Sequence, residues 1–255
     1  MKPYYETELG KLYHGDCLEI MPGLEPVDLV LTDPPYGTTA CLWDSIIPLE
    51  KMWSCLDGIA KYNVILTASQ PFTSVLVTSK IKNFKYEWIW QKNRGSNFAV
   101  LKYQPMKEHE SVLVFSFGDT KYFPIKEDRK GSGLDRTKYK YTPTNSGKRE
   151  SMGGFIMKHA KHSGNERQRF PSSIQKFNCE VGFHPTQKPI TLMEYMLKTY
   201  SDKHETILDF CLGSGTTAIA CERLKRRWIG IEIEEKYCEI AAKRIEAERK
   251  QLKLF

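Results

Sequence analysis

Two short stretches, far apart in the chain, carry residue types that could do chemistry together. The first is Asp33-Pro34-Pro35-Tyr36-Gly37. It follows Leu29-Val30-Leu31-Thr32, an apolar run ending in a β-branched residue, which predicts a buried strand broken off by the two prolines. One carboxylate and one aromatic ring are thereby held at a strand's carboxyl end, where open α/β sheets bind ligands. The second stretch is Gly213-Ser214-Gly215-Thr216-Thr217, just after the predicted strand Thr206-Ile207-Leu208-Asp209. Glycines there let backbone N–H groups approach a ligand at a helix N-terminus. Glu232 ends the next predicted strand, seventeen residues beyond Gly215, where an acid can accept hydrogen bonds from ribose hydroxyls. The pattern suits a nucleoside-containing cofactor. It is not the dinucleotide fingerprint, because position 218 is Ala, and it is not a phosphate loop, since Gly-x-x-x-x-Gly-Lys is absent.

The elements that must position these residues are legible from periodicity. Residues 11–14 read as a strand, 17–21 as a brief helix and the run into Asp33 as a second strand, a β-α-β rhythm. Leu49, Met52, Trp53 and Leu56 have helical spacing within 48–60, and 63–67 is another strand. Ser69 is placed to cap a helix running to about residue 80, with Pro71 in its first turn. Residues 86–91 and 111–117 predict a late antiparallel pair, in which Trp88 and Trp90 are read, with Phe98 beyond them, as core residues rather than pocket walls. From 118 to about 181 the periodicity fades, over a length that compact domains seldom leave without function. Order resumes with a helix over 189–200, where Thr191-x-x-Glu194 forms a capping box, and with a final β-α-β-α unit ending in a helix over 235–250.

Composition narrows the function classes. The 255 residues, 40% hydrophobic, suffice for a large α/β domain with a substantial core. The longest apolar runs fall far short of the ~20 residues that cross a bilayer, and Met1-Lys2-Pro3 is followed by tyrosines and glutamates rather than a signal segment, so a cytoplasmic protein is expected. Seven scattered cysteines, with no Cys-x-x-Cys, argue for buried thiols rather than disulfides or zinc. Within 119–180 there are fourteen Lys and Arg against seven Asp and Glu, an excess equal to the +7 of the whole chain. A concentrated cationic block beside a neutral remainder suits a polyanion.

Asp33-Pro34-Pro35-Tyr36, His184-Pro185-Thr186-Gln187-Lys188-Pro189 and Asp209-Phe210-x-x-Gly213-Ser214-Gly215-Thr216-Thr217, in that order, resemble the DNA amino-methyltransferases. More narrowly, they are similar to the β group, in which the catalytic motif precedes the recognition region and the cofactor glycines come last. The likeness includes Gly15-Asp16-Cys17 and Arg169-Phe170-Pro171 and leaves out only 119 to about 165. It implies a Rossmann-like, mostly parallel methyltransferase sheet with circularly permuted motif order. The halves would be 1–118 (catalytic) and 181–255 (cofactor-binding), with 119–180 an inserted target-recognition region.

The resemblance also implies roles. S-adenosylmethionine would lie over Gly213, Ser214 and Gly215, within the Asp209, Phe210, Thr216 and Thr217 motif, with Glu232 on its ribose and Asp16 and Cys17 near its adenine. Thr186 and Lys188 would reach its methionine carboxylate, and His184 would serve structure or hydrogen bonding. Asp33, which also borders the cofactor, would accept a hydrogen of the target amine together with the Pro34 carbonyl, Pro35 fixing the turn and Tyr36 stacking on a base drawn out of double-stranded DNA. Arg136, Lys138, Lys140, Lys148, Arg149, Arg167 and Arg169, interleaved with Tyr139, Tyr141 and Phe155, would contact DNA. Asp rather than Ser at position 33 resembles the adenine-N6 enzymes, with cytosine-N4 as the alternative and a silent nucleic-acid-binding protein as a third reading. Similar enzymes are often homodimers.

Overall fold

The computed structural model describes residues 2–38, 44–129, 167–180, 182–183 and 186–252. The chain divides into two compact units, one of Met1–Phe123 with Ser173–Phe255 and one of Pro124–Ser172. The larger unit opens with β1 (Tyr5–Glu6), β2 (Gly10–His14), α1 (Cys17–Ile20), β3 (Val27–Thr32), α2 (Leu49–Ile59), β4 (Ala60–Ala68), α3 (Phe72–Ser79), β5 (Phe84–Ser96) and β6 (Lys107–Ser116). In the smaller unit, β7 (Glu127–Asp128) pairs antiparallel with β8 (Gln168–Arg169), and Arg169 Nη2 donates to Glu127 Oε2 at 2.9 Å. The larger unit resumes with β9 (Ile174–Lys176), α4 (Ile190–Tyr200), β10 (Thr206–Asp209), α5 (Thr216–Leu224), β11 (Arg227–Glu232) and α6 (Glu235–Leu252).

Among the described residues the larger unit builds one nine-stranded sheet, in the order β1-β2-β11-β10-β3-β4-β6-β5-β9. The five strands from β2 to β4 are parallel neighbours, whereas β6 runs antiparallel to both β4 and β5. This is the expected mostly parallel Rossmann-like sheet with its late antiparallel pair. Alternation along the strands divides the core between two faces. Leu29, Leu31, Ile65, Val112, Val114 and Ile207 join one cluster with α4, α5 and α6. Val30, Val64, Leu66, Leu113, Phe115 and Leu208 join the other with α1, α2 and α3. Because both faces are covered, the central strands are apolar almost throughout.

Three local expectations are corrected. Ser69 does not cap α3: its hydroxyl is buried without a hydrogen-bond partner among the described residues, and only its carbonyl accepts, from Thr73 N. The capping box at Thr191 does not form, because Pro189 is the residue that enters α4 and the Glu194 carboxylate is drawn to Arg223 and Lys198. Composition groups residues 173–180 with the basic insert, yet β9 pairs with β5 at the edge of the main sheet. A three-residue strand is too short to leave a periodic trace.

Trp88 and Trp90 are buried core residues, as expected, while Phe98 is 65% exposed. The Trp88 indole donates to the Tyr200 hydroxyl at 2.5 Å, where α4 packs on the sheet, and Tyr200 is itself fully buried. Tyr200→Phe strands that indole N–H in an apolar setting. We expect a loss of about 1–3 kcal/mol of unfolding free energy, measured by urea titration, with DNA and cofactor affinity unaltered.

Candidate active site

Parallel register brings five strand ends into one row. Glu232 at the end of β11 pairs with His14 of β2, and Thr32 at the end of β3 pairs with Leu66 of β4, so that Gly15-Asp16, Glu232, Asp209, Asp33 and Thr67 lie side by side. Between β10 and β3 the alignment is fixed by a buried bond, Thr32 Oγ1 donating to Asp209 Oδ1 at 2.6 Å. All of the row but Thr67 borders a cavity of about 450 Å³. Asp16, Cys17, Asp33, Pro34, Pro35, Tyr36, Thr186, Lys188, Asp209, Phe210, Gly213, Ser214, Thr216, Thr217 and Glu232 all line it. The two motifs, separated by most of the sequence, therefore share one pocket of a size that holds a small organic ligand.

Gly213 and Gly215 adopt φ values of 55° and 87°, the left-handed region that favours glycine, and turn the chain from β10 into α5. A Cβ on Gly215 would lie 3.0 Å from that of Ala241, so its bareness also admits α6. Gly213 N–H donates to Glu232 Oε2 at 2.7 Å, and Glu234 N–H donates to Glu232 Oε1 at 2.8 Å. Burial nevertheless raises the Glu232 pKa despite those donors. Burial also pushes Asp209 up to about 6, against the hydrogen bonds from Thr217 and Thr32. Asp16 caps α1, its Oδ1 accepting from Leu18 N–H at 2.8 Å.

Asp33 sits in a cluster of polar side chains. Tyr36 Oη lies 2.7 Å from Asp33 Oδ1 and 2.9 Å from Thr67 Oγ1, and the Thr67 hydroxyl donates to the same Asp33 oxygen. Lys188 Nζ donates to Asp33 Oδ2 at 2.6 Å and lies 3.4 Å from Glu110 Oε2 and 5.4 Å from the centre of the Tyr36 ring. Glu110 in turn binds Lys92. Burial opposes the charge on Lys188, but Asp33 and Glu110 outweigh it and hold the ammonium above its ordinary pKa. Glu110 is the mirror case, burial being outweighed by Lys188 and Lys92 so that its carboxyl lies below the usual range. Burial, Asp33 and Glu110 raise the Tyr36 phenol well above its usual value, which keeps it a donor. The ring itself stacks on Phe72, with centroids 5.5 Å apart.

The sequence reading missed Thr67, Glu110, Lys92, Phe72 and Asp44, whose carboxylate accepts from Gly37 and Thr38 N–H at 2.9 Å and so closes the loop after the motif. Thr67 had a signal, since it ends a predicted strand. Lys188, expected on a cofactor carboxylate, here meets Asp33 and Glu110 instead. Of the basic residues assigned to DNA contact, Arg167 and Arg169 belong to the smaller unit, whereas Arg136, Lys138, Lys140, Lys148 and Arg149 lie outside the described residues, as do Tyr139, Tyr141, Phe155 and His184.

Comparison with known proteins names the constellation. A family model described as DNA methylase, covering the N6/N4 methyltransferases, matches residues 27–243. The chain belongs to the N6/N4 DNA methylase family. It is 25% identical to the Type II methyltransferase M2.DpnII of Streptococcus pneumoniae, over 97% of this chain and 93% of that protein. With Type II methyltransferase M.ScaI of Streptomyces caespitosus the identity is 27%, over 98% and 86%. Among solved structures, the M1.HpyAVI–SAM complex shares the fold with a TM-score of 0.62 at 23% identity, covering 92% of this chain and all of the other. PvuII DNA methyltransferase, a cytosine-N4-specific enzyme, does so with a TM-score of 0.66 at 14% identity, over 98% and 94%. This DNA methylase thus takes S-adenosyl-L-methionine as its methyl donor. The cavity fits that molecule. Its described lining carries Asp16, Asp33, Asp44, Asp209, Glu232 and Glu234 with Lys188 as the cation, a donor set matched to a ligand with positive sulfonium and amino groups, a diol and one carboxylate.

The Asp209 carboxyl provides a pH-dependent test of this arrangement. Its ordinary value is 3.8 and its folded value about 6, so between those limits the folded protein keeps a proton that the unfolded chain has lost, and stability falls as pH rises through the window. Unfolding free energies of the native protein and Asp209→Asn from urea titration, compared from pH 4 to 7, are expected to diverge in favour of the variant by at most about 3 kcal/mol.

Proposed function

We propose that this enzyme transfers a methyl group to the exocyclic N6 amine of adenine in double-stranded DNA, with the base drawn out of the helix. The observation that carries the reading is Asp33, whose carboxylate stands at the end of β3 inside the same cavity as Gly213 and Glu232. When bound, S-adenosylmethionine supplies an electrophilic sulfonium methyl. Glu232 would hold its ribose, Asp16 and Cys17 would border its adenine, and Thr186 would face its carboxylate, while Lys188, held by Asp33 and Glu110, lends that end of the cavity positive charge. Phe210, Ser214, Thr216 and Thr217 complete the wall.

The chain's own residues handle the amine. Asp33 Oδ1 is fixed by Tyr36 and Thr67, so Oδ2 is the oxygen that can accept an amine hydrogen, beside the Pro34 carbonyl. That acceptance draws the nitrogen lone pair out of conjugation and stabilises the positive charge developing on it. Phe72 stacks on Tyr36, whose ring would in turn take the base, where stacking contributes about 1–3 kcal/mol. Half-buried Asp33 and buried Pro34 hold this geometry before the base arrives, which lowers the entropic barrier. The smaller unit, as target-recognition region, would use Arg167, Arg169 and the basic residues of 130–166 against phosphates and base edges. Asp at position 33 favours adenine, and cytosine-N4 transfer is the second reading because that base also presents an amine beside a ring nitrogen.

Incubation with methyl-labelled S-adenosylmethionine and unmodified DNA, followed by digestion to nucleosides, decides between them. N6-methyladenine is expected; N4-methylcytosine would move the assignment to the second reading, and absence of labelled base would leave a DNA-binding protein. Asp33→Ala should lower the transfer rate by about 10²–10³-fold with cofactor affinity retained. Glu232→Ala should weaken cofactor binding by roughly tenfold in calorimetric titration, through loss of a charged acceptor.

A further inference from the structure

Lys188 is misplaced for the reaction just described. Its ammonium occupies Asp33 Oδ2, the oxygen that the target amine needs, at 2.6 Å, while Oδ1 is held by Tyr36 and Thr67. An ammonium that is 95% buried cannot leave Asp33 for water; it needs a second buried acceptor within a small side-chain movement. Glu110 Oε2 is that acceptor. It is buried, accepts no hydrogen bond from any described residue, and lies 3.4 Å from Lys188 Nζ. Its partner oxygen, Oε1, is anchored by Lys92, so the Glu110 carboxylate is fixed and not free to follow.

From this geometry we propose that Glu110 is a positioning residue for methyl transfer, receiving the Lys188 ammonium from Asp33 when the target amine arrives. The four charges, Lys92, Glu110, Lys188 and Asp33, come from β5, β6, the segment before α4 and the end of β3. They balance, two positive and two negative, and the transfer of one hydrogen bond from Asp33 to Glu110 leaves that balance unchanged. Without Glu110 the ammonium keeps Asp33 as its one charged partner among the described residues, beside a 3.4 Å contact to the Thr186 carbonyl, and the substrate amine must compete with it for Oδ2. Lys107, half-buried near Glu110, is too far along β6 to replace either partner, since two further residues separate them. This role rests on Asp33 as the amine acceptor.

The test is single-turnover transfer with cofactor and DNA affinities measured separately. Glu110→Gln keeps the shape and removes the charge; its transfer rate is expected to fall by about tenfold or more, while the dissociation constant for cofactor, read by calorimetry, and that for DNA stay within about twofold. Glu110→Asp, which restores the charge with a shorter reach and serves should the glutamine variant fold poorly, is expected to recover at least about a third of the native rate. A Glu110→Gln rate within about twofold of native, a loss confined to affinity, or an aspartate variant as impaired as the glutamine one would each overturn the proposal. Asp33→Asn separates this from the underlying reading. If Asp33→Asn retains transfer, the acceptor role itself fails; if it abolishes transfer while Glu110→Gln is native-like, only the present inference fails.

Discussion

Parallel pairing of β10 with its two neighbours is the constraint from which the site follows. β10 lies between β3 and β11, and its register with both sets where Asp33 and Glu232 can be relative to the glycine turn. The Thr32–Asp209 bond pins that register where a slip by one residue would turn each side chain to the opposite face. Everything chemical is then a matter of what each strand carries at its carboxyl end. A carboxylate at nearly every one of these ends is costly, and the raised pKa values of Asp209 and Glu232 are the measure of that cost.

The charges are nonetheless used economically. Asp209 serves the backbone at Cys211 and the Thr32 hydroxyl, and Glu232 serves the backbone at Gly213 and Glu234, so both brace the loops that must meet a ligand. Around Asp33 the acids are matched by lysines instead. The contrast divides the cavity in two: an end where carboxylates hold protein backbone and await a cationic ligand, and an end where they are already neutralised by Lys188 and Lys92. In a chain of net charge +7 the pocket is thus locally acidic, while the cationic excess of the sequence lies in 119–180.

The strand ends were legible because each combines an apolar run with an abrupt terminator, prolines after Thr32 and glycines after Asp209. Motif order then linked the two halves of the site. What escaped was whatever depends on antiparallel direction. Glu110 precedes its strand's apolar run, which marks it as a solvated flank by periodicity; only the reversal of β6 against β4 carries it to the carboxyl ends of the parallel strands. Phe72 likewise looks like ordinary helical core until α3 is placed behind Tyr36. The caps failed for a related reason, since Glu194 has a better partner in Arg223, on a helix that local sequence cannot bring near. Short strands such as β9 hold together by pairing with β5, which leaves almost no imprint on 174–176 themselves.

The strand order has a consequence for synthesis. β10 and β11, made last among the strands, fill the gap between β2 and β3, made early. A nascent chain that has not yet reached residue 206 therefore carries, on β2 and on β3, two open edges of backbone donors and acceptors with nothing to pair them. Closing that gap joins residues more than two hundred positions apart, as with Gly10 and Trp228, so the middle of the sheet is completed last and slowly. Until then the exposed strand edges are the part of the chain most open to aggregation.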